Sequence, residues 1–156
     1  MLSKEEYSQN FLSNLLTLVD YCENVIKKIK NNTKITNALD SEKISQIKFY
    51  LNGLKFVSQE ELCIKTFIKK SRGEFWNKIK ERDIKFFIEH SSDIFSDSEN
   101  INLFSEIFSN PILKEKEKNF IWSIFDNFIR LSIRYNQVCG INMDEEEEKF
   151  FPKKSN

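Results

Sequence analysis

The segment from Phe120 to Val138, FIWSIFDNFIRLSIRYNQV, constrains the fold more than any other part of this chain. Its apolar side chains recur at steps of three and four residues, and a second apolar stripe flanks the first, so only a narrow polar stripe remains. Asp126 and Arg130 interrupt the segment, which argues against a membrane span. The pattern predicts a buried central helix, over about 111–139, that other helices must cover.

A long amphipathic helix is predicted at the start of the chain. Ser3 and Glu6 form a capping-box pattern. In this pattern the serine hydroxyl accepts a hydrogen bond from a backbone N–H of the first turn, and the glutamate side chain reaches back to the start of the helix. An apolar stripe follows at helical spacing and consists of Phe11, Leu15, Leu18, Cys22, Val25 and Ile29. Lysines near residue 30 suit the negative end of the helix dipole and indicate where this helix ends.

Two further helices are predicted after it. Asp40 or Ser41 caps the first of them, which then turns an apolar stripe inward, namely Ile44, Ile47, Leu51 and Leu54. Ser58 begins a second capping box and starts the next helix. Val57, just before that cap, is expected to pack on Leu62 as a hydrophobic staple.

The pattern then predicts one continuous helix from Glu74 to His90, with an outer face of alternating charge. Residues 91–100 are dense in loop formers and indicate a surface connection. Asn100 is expected to cap a short helix that ends at Asn110 and Pro111, where the central helix begins. Gly140 is the expected left-handed terminator of the central helix.

These elements predict an all-α fold, a single-domain helical bundle of five to six helices around a central hydrophobic helix. A chain of 156 residues is long enough to bury one substantial core. The helical domain is expected to cover residues 1–140. Residues 141–156 indicate an acidic and flexible tail. Its five consecutive acidic residues repel one another, and its few apolar groups do not offset the entropy cost of ordering the chain.

The chain has 24 basic and 24 acidic residues, so its balanced charge excludes a strong overall electrostatic field. Between Lys27 and Lys85 the chain is nevertheless basic, with 15 Lys and Arg against 7 Asp and Glu. The three cysteines are an odd number at unrelated spacings, which favours reduced core thiols over disulfides. With no secretory signal pattern, the expected location is intracellular, in the cytoplasm, nucleus or a virion.

No pattern in the sequence points to catalysis, a cofactor or a metal. The three glycines form no phosphate-binding loop, and no Cys and His spacing suits zinc. His90, the only histidine, is expected to cap the end of a helix rather than act as a base. The sequence therefore predicts a protein that is not an enzyme.

Two sets of residues are candidates for binding another protein. Arg130 and Arg134 lie on the polar stripe of the central helix and either face an interface groove or, for Arg130, pair with Asp126 four residues earlier. Phe150 and Phe151, between acids and a proline, resemble a linear segment that docks through its aromatic rings. A tail without a function is the alternative. The oligomeric state is left open.

Lys65, Lys69, Lys70 and Arg72 are the candidates for nucleic-acid binding. Clustered cations can contact a phosphate backbone, and the nearby rings of Phe75 and Trp76 are of the type that stacks on bases. Both rings also fit the inward stripe of their helix, and neighbouring glutamates match the lysines. A solvated helix face is therefore the favoured interpretation of this region, 65–85.

The chain is rich in Lys, Asn, Ile and Phe, as proteins of AT-rich genomes are. The segments RDIKFF at 82–87 and IWSIFDNFIRL at 121–131, with Arg134 and Tyr135, resemble small helical virion and accessory proteins of nucleocytoplasmic large DNA viruses. The resemblance carries over no functional residue. It implies a structural or accessory component of a virion or virus factory.

Two functional hypotheses follow. The first is a non-enzymatic structural or protein-interaction module that contacts another protein through its helical surface and its tail. The second is a nucleic-acid-binding accessory protein that uses the basic 65–85 region. The first is preferred because contact surfaces are present in the sequence and catalytic motifs are absent.

Overall fold

The computed structural model describes residues 1–32, 41–90 and 107–152. Within these ranges every regular element is helical, which confirms the all-α class. Seven helices of the described chain have defined bounds: α1 Lys4–Asn32, α2 Ser41–Phe56, α3 Glu61–Ser71, α4 Glu74–Lys80, α5 Ile84–His90, α6 Glu115–Val138 and α7 Glu145–Glu148. The predicted cap at Asp40, the connection at 91–100 and the cap at Asn100 lie outside the described residues.

Helix α1 begins as its sequence predicts. The Ser3 hydroxyl accepts a hydrogen bond from the Glu6 backbone N–H at 3.1 Å and lies 3.2 Å from the Glu6 carboxylate. This satisfies one of the N–H groups that a helix start leaves without a partner. The predicted stripe points inward, and Phe11, Val25 and Ile29 are buried.

Helix α6 is the predicted central helix, and its enclosure is confirmed. It packs against α1, α3 and α4, and Ile121 and Ile129 have no exposed surface. Phe128 continues this contact, since its ring centroid lies 4.8 Å from that of Phe11 on α1 and 5.8 Å from that of Phe67 on α3. The core is thus a set of interlocking aromatic and aliphatic side chains around one helix.

The central helix starts later than predicted. Instead of beginning a helix, Asn110 accepts a hydrogen bond from the Ile112 N–H at 3.0 Å, which stabilises a turn. Helix α6 then begins at Glu115, where the Lys114 N–H donates to the Glu117 carboxylate at 2.7 Å. At its other end Gly140 has φ +85°, as predicted for a left-handed terminator.

The predicted helix from Glu74 to His90 is wrong, because it is two helices, α4 and α5. The break centres on Arg82, whose φ of +59° lies in the left-handed region. Its guanidinium donates to both Asp126 carboxylate oxygens, at 2.7 and 2.6 Å, and to the Ile79 carbonyl at 3.1 Å. Asp126 therefore pairs with Arg82 and not with Arg130, and this bidentate contact ties the break to the central helix.

The predicted start of α3 is also wrong. Ser58 adopts a left-handed φ of +56° and makes no cap, and α3 begins three residues later at Glu61. Val57 and Leu62 remain 57% and 48% exposed, so no hydrophobic staple forms. Turn geometry at the end of α2 overrides the capping pattern, because a cap requires extended backbone at the capping residue.

The cysteines differ in burial, contrary to the expectation of three core thiols. Cys22 is buried, Cys63 is half-buried and Cys139 is exposed, and all three are free. Burial raises the pKa of the Cys22 thiol to about 12. Cys22 is therefore a packing residue, whereas Cys139 lies just after the central helix in contact with solvent.

Candidate interaction surfaces

The C-terminal residues 141–152, which we call the tail segment, pack against the helical body. The segment contains the short helix α7, whose start is capped by Asp144. The Asp144 carboxylate accepts from the Glu147 N–H at 2.7 Å, and the Glu147 carboxylate accepts from the Asp144 N–H at 3.1 Å. This reciprocal cap gives the acidic block a defined shape, because it satisfies two backbone donors locally.

Arg72 holds the tail segment against the end of α3. Its guanidinium donates to both Glu147 oxygens, at 3.0 and 2.7 Å, and to the Asn142 carbonyl at 3.3 Å. Glu147 is 4% exposed. The hydrogen bond that Arg72 donates to Glu147 raises the pKa of Arg72 above its ordinary value. One of the four nucleic-acid candidates is therefore engaged within the chain.

Phe150 is a core residue, with 3% of its surface exposed. The Arg130 Nε donates to the Phe150 carbonyl at 2.8 Å, and Lys80 donates to the Lys149 carbonyl. The Lys80 ammonium also lies 5.0 Å from the centre of the Phe150 ring. Burial, and then the charge of Lys149, lower the pKa of Lys80.

Phe151 is half-buried beside the central helix. The Arg134 guanidinium stacks over its ring at 4.1 Å and also donates to the Gln137 side chain at 2.9 Å. The four partner-binding candidates therefore meet one another: Arg130 binds Phe150, and Arg134 covers Phe151. The prediction of a flexible tail that docks on another protein through these rings does not match the described residues, because Arg72 after α3 and cations of α4 and α6 bind this segment.

The remaining nucleic-acid candidates lie on α3. Lys65 pairs with Glu61 at 3.4 Å, one turn earlier, while Lys69 and Lys70 are exposed near the end of the helix. The rings that would stack on bases are buried, and Trp76 donates its indole N–H to the Ser71 hydroxyl at 2.7 Å. This surface offers cations without accessible aromatic rings, whereas single-strand binding sites combine the two.

Side chains of types that often act in catalysis make hydrogen bonds and ring contacts within the chain. The Nδ1 atom of His90 lies 3.0 Å from the Phe86 carbonyl oxygen. The His90 and Phe86 rings are stacked, with their centroids 4.0 Å apart. Tyr135 donates a hydrogen bond to Glu61. This bond is the main reason why the pKa of Glu61 is lowered. In the described ranges no group of three or more His, Cys, Asp or Glu side chains is placed to hold a metal ion.

A different surface lies on α2, at positions that the sequence reasoning missed. Phe49 and Phe56 are 83% and 90% exposed, and Tyr50 and Val57 beside them are more than half exposed. Phe49 and Phe56 are seven residues apart, so they occupy nearly one angular position on the helix, and Tyr50 and Val57 directly follow them in the chain. These four side chains form one apolar surface, which we call the α2 outer face.

Lys48 of α2 points away from this face, while Glu42 and Lys55 of the same helix are exposed. Lys48 reaches back to α1, where its ammonium lies 2.8 Å from Asp20 and 3.5 Å from Glu23. The hydrogen bond to Asp20 is the main reason why the pKa of Lys48 is raised. The exposed positions between residues 45 and 53 are uncharged, namely Ser45, Gln46, Phe49, Tyr50, Asn52 and Gly53. In this helix a cation binds the body while aromatic rings face water.

The signal for this face was present in the sequence. The stripe from Ile44 to Leu54 accounts for the buried side of α2, and Phe49 and Phe56 lie outside it. A helix that is apolar on two opposite sides is typically covered on both. The inward stripe alone predicts the helix, and Phe49 and Phe56 outside it are the signal for a second apolar side.

Comparison with protein-family models, curated proteins and solved structures finds no match for this chain. Among the described helices, none is both long enough and apolar enough to cross a membrane.

Proposed function

We propose that this protein is a non-enzymatic interaction module whose α2 outer face binds another protein surface. The observation that carries the proposal is the exposure of Phe49 and Phe56, at 83% and 90%, on one side of α2. Single exposed apolar residues are ordinary, but a contiguous aromatic group on one helix face is not.

The composition of the face supports this function. Protein interfaces are enriched in Phe and Tyr at their centres and depleted of charged residues, and the residues that dominate binding energy are often aromatic. Charged residues make up 31% of this chain, so an uncharged run of exposed positions on α2 departs from its general surface. Water contacts these rings at a free-energy cost that a partner would remove.

In this proposal the rest of the chain acts as a scaffold. A single-domain bundle around the central helix α6 supports α1, and α1 in turn supports α2 through buried side chains and the contacts of Lys48. This role fits the structural or accessory type of viral protein that the sequence resemblance implies. The tail segment contributes to the scaffold instead of reaching for a partner, because its aromatic residues already contact the body.

Site-specific photo-crosslinking in the native source tests this function. A photoreactive residue replaces Phe49 or Phe56 in turn, and exposed Lys69 and Lys116 serve as matched control positions on α3 and α6. We expect discrete crosslinked products from positions 49 and 56 that the controls lack. Identical, background-level products at all four positions would show that α2 has no specific partner.

A further inference from the structure

We propose that the helical body carries a binding site for an acidic, phenylalanine-containing segment, and that the tail segment closes this site reversibly. The site consists of the position that the Phe150 ring fills and of four cations, namely Arg72, Lys80, Arg130 and Arg134. It shares no residue with the α2 outer face and is therefore independent of the function proposed above. A segment of the same chemistry in another protein enters the site only when the tail segment is open.

The tail segment is organised as a bound ligand would be. Its backbone N–H groups at 147–151 bond within the segment, as when Phe150 donates to the Glu147 carbonyl at 3.1 Å. The groups that it offers to the body are acceptors, namely the Glu147 carboxylate and the carbonyls of Asn142, Lys149 and Phe150. Release of the segment therefore breaks its contacts with the body and leaves these internal hydrogen bonds intact.

The helical body supplies matching donors from cationic side chains. Arg72 binds the Glu147 carboxylate through two hydrogen bonds, at 3.0 and 2.7 Å, and this bidentate geometry suits a carboxylate. Arg130 donates to the Phe150 carbonyl at 2.8 Å, and the Lys80 ammonium lies 5.0 Å from the centre of the Phe150 ring. The site thus recognises an acidic side chain and a phenylalanine three residues later.

Closure of the site depends on few buried groups. Most residues of the tail segment are exposed, and only Glu147 and Phe150 among them are buried. The segment leaves the central helix at Gly140, whose φ is +85°, and the next residue, Ile141, is 44% exposed. Elements with few buried apolar contacts open at a lower free energy than the core beside them. The tail segment therefore opens while the bundle stays folded.

An open tail segment leaves the site without its acidic partner. Burial, and after it the like charges of Lys149 and Arg130, lower the pKa of Lys80, so these cations lie close enough to repel one another. Asp126 offsets part of this repulsion, but both of its carboxylate oxygens are bound by Arg82. An acidic segment therefore binds the open site more favourably than a neutral segment does.

Hydrogen exchange of the intact full chain in a urea series tests the opening. The amides at 147–151 should exchange faster than those of the central helix α6 in the absence of urea. Their exchange should also depend less on urea, because a local opening exposes less surface than global unfolding does. Protection and urea dependence equal to those of α6, or no protection at 147–151, would overturn the proposal.

Binding of a labelled peptide with the sequence of residues 141–152 tests the site. In a full chain with Glu147→Gln and Phe150→Ala, which we call the open variant, the body is unchanged and its own tail binds poorly. The peptide should bind the open variant at least about tenfold more tightly than the intact chain, because closure reduces the apparent affinity to the open fraction. Equal affinities, or no binding to the open variant, would overturn the proposal.

Two matched changes test the ligand class. Adding Arg72→Gln to the open variant should weaken peptide binding about tenfold or more, since the bidentate contact with the carboxylate is lost. Lys69→Gln, at an exposed cation of α3, should leave the affinity unchanged. The single variant Glu147→Gln keeps the Phe150 ring and should give the same order of affinities as the open variant with a smaller difference. A single-stranded oligonucleotide that binds the open variant as tightly as the peptide does would show that the site responds to charge alone and would overturn the assigned ligand class.

Discussion

At the scale of single residues, several polar contacts join parts of the chain that are far apart in sequence. Arg82 binds Asp126, Arg72 binds Glu147, and Tyr135 binds Glu61. Each joins a helix to another helix or to the residues beside one, at a partly buried position. Such bonds contribute modestly to stability, yet breaking one leaves a partly buried charge without its partner, which is costly.

The bond from Tyr135 to Glu61 predicts a measurable pH effect. Because it lowers the pKa of Glu61, its stabilising contribution is present above the ordinary glutamate pKa and is lost as pH falls through the lowered value. Tyr135→Phe should raise the pKa of Glu61 towards its ordinary value. It should also reduce the free energy of unfolding at neutral pH by about 1 kcal/mol, since Glu61 is partly exposed.

NMR titration of the Glu61 carboxyl and urea unfolding between neutral and acidic pH measure both effects. Tyr50→Phe is the control, because it removes the same hydroxyl from a side chain that is 58% exposed. An unchanged pKa of Glu61 in the Tyr135 variant would show that the two groups are not bonded in solution.

The two phenylalanines of the tail segment predict unequal effects. Phe150→Ala should lower the free energy of unfolding by about 3–5 kcal/mol, the range for emptying a buried aromatic site. Phe151→Ala should cost about 1 kcal/mol, because this half-buried ring mainly loses its contact with Arg134. Urea unfolding of the matched pair provides the measurement. Small and equal losses would mean that the segment is detached in solution.

At the scale of elements, the central helix α6 organises the described helices. It contacts α1, α3 and α4, and its side chains from Ile121 to Tyr135 supply much of the core. Helices α4 and α5 are short, and they are positioned by the contact of Arg82 with α6 and by aromatic contacts with the central helix. Short helices depend on such packing for their stability.

This arrangement predicts a large effect at Phe125, which is 3% exposed and contacts the rings of Phe87 and Phe128. Phe125→Ala should reduce the free energy of unfolding by about 3–5 kcal/mol. Lys116→Ala, at an exposed position of the same helix, should stay within about 0.5 kcal/mol of the unaltered protein. Thermal or urea unfolding compares them, and similar small losses would contradict the enclosure of α6.

At the scale of the whole molecule, the balanced charge of 24 basic and 24 acidic residues provides no long-range attraction for nucleic acid. Part of the basic region is also neutralised from within, since Glu147 binds Arg72 and Glu61 pairs with Lys65. Aromatic residues of this region that could stack on bases, Phe75 and Trp76, are buried.

We therefore expect only weak binding of single-stranded or duplex oligonucleotides at physiological salt. Replacement of Lys65, Lys69 and Lys70 by Gln should change the affinity little, and fluorescence anisotropy across a salt series measures this. Submicromolar binding that weakens steeply with salt and depends on those lysines would support the nucleic-acid hypothesis instead.

Much of the fold was predictable because helix signals are local. The stripe of α1 and its Ser3 cap, the buried segment of α6 and the terminator Gly140 all depend on residues within a few positions of one another. The contacts of the tail segment were not predictable in the same way. Glu147 lies 75 positions from Arg72, and no local pattern indicates that the two should meet.

The sequence by itself determined that the chain forms helices and which side of the longest helices is buried, because both follow from the period of 3.6 residues per turn. The tertiary structure decided where the backbone breaks, as at Arg82, since the Asp126 that binds its guanidinium is 44 positions away. It also decided which apolar residues are covered: Phe150 is buried under cations from other helices, whereas Phe49 and Phe56 face water. Local periodicity shows that a side chain is apolar, but burial depends on what the rest of the chain places against it.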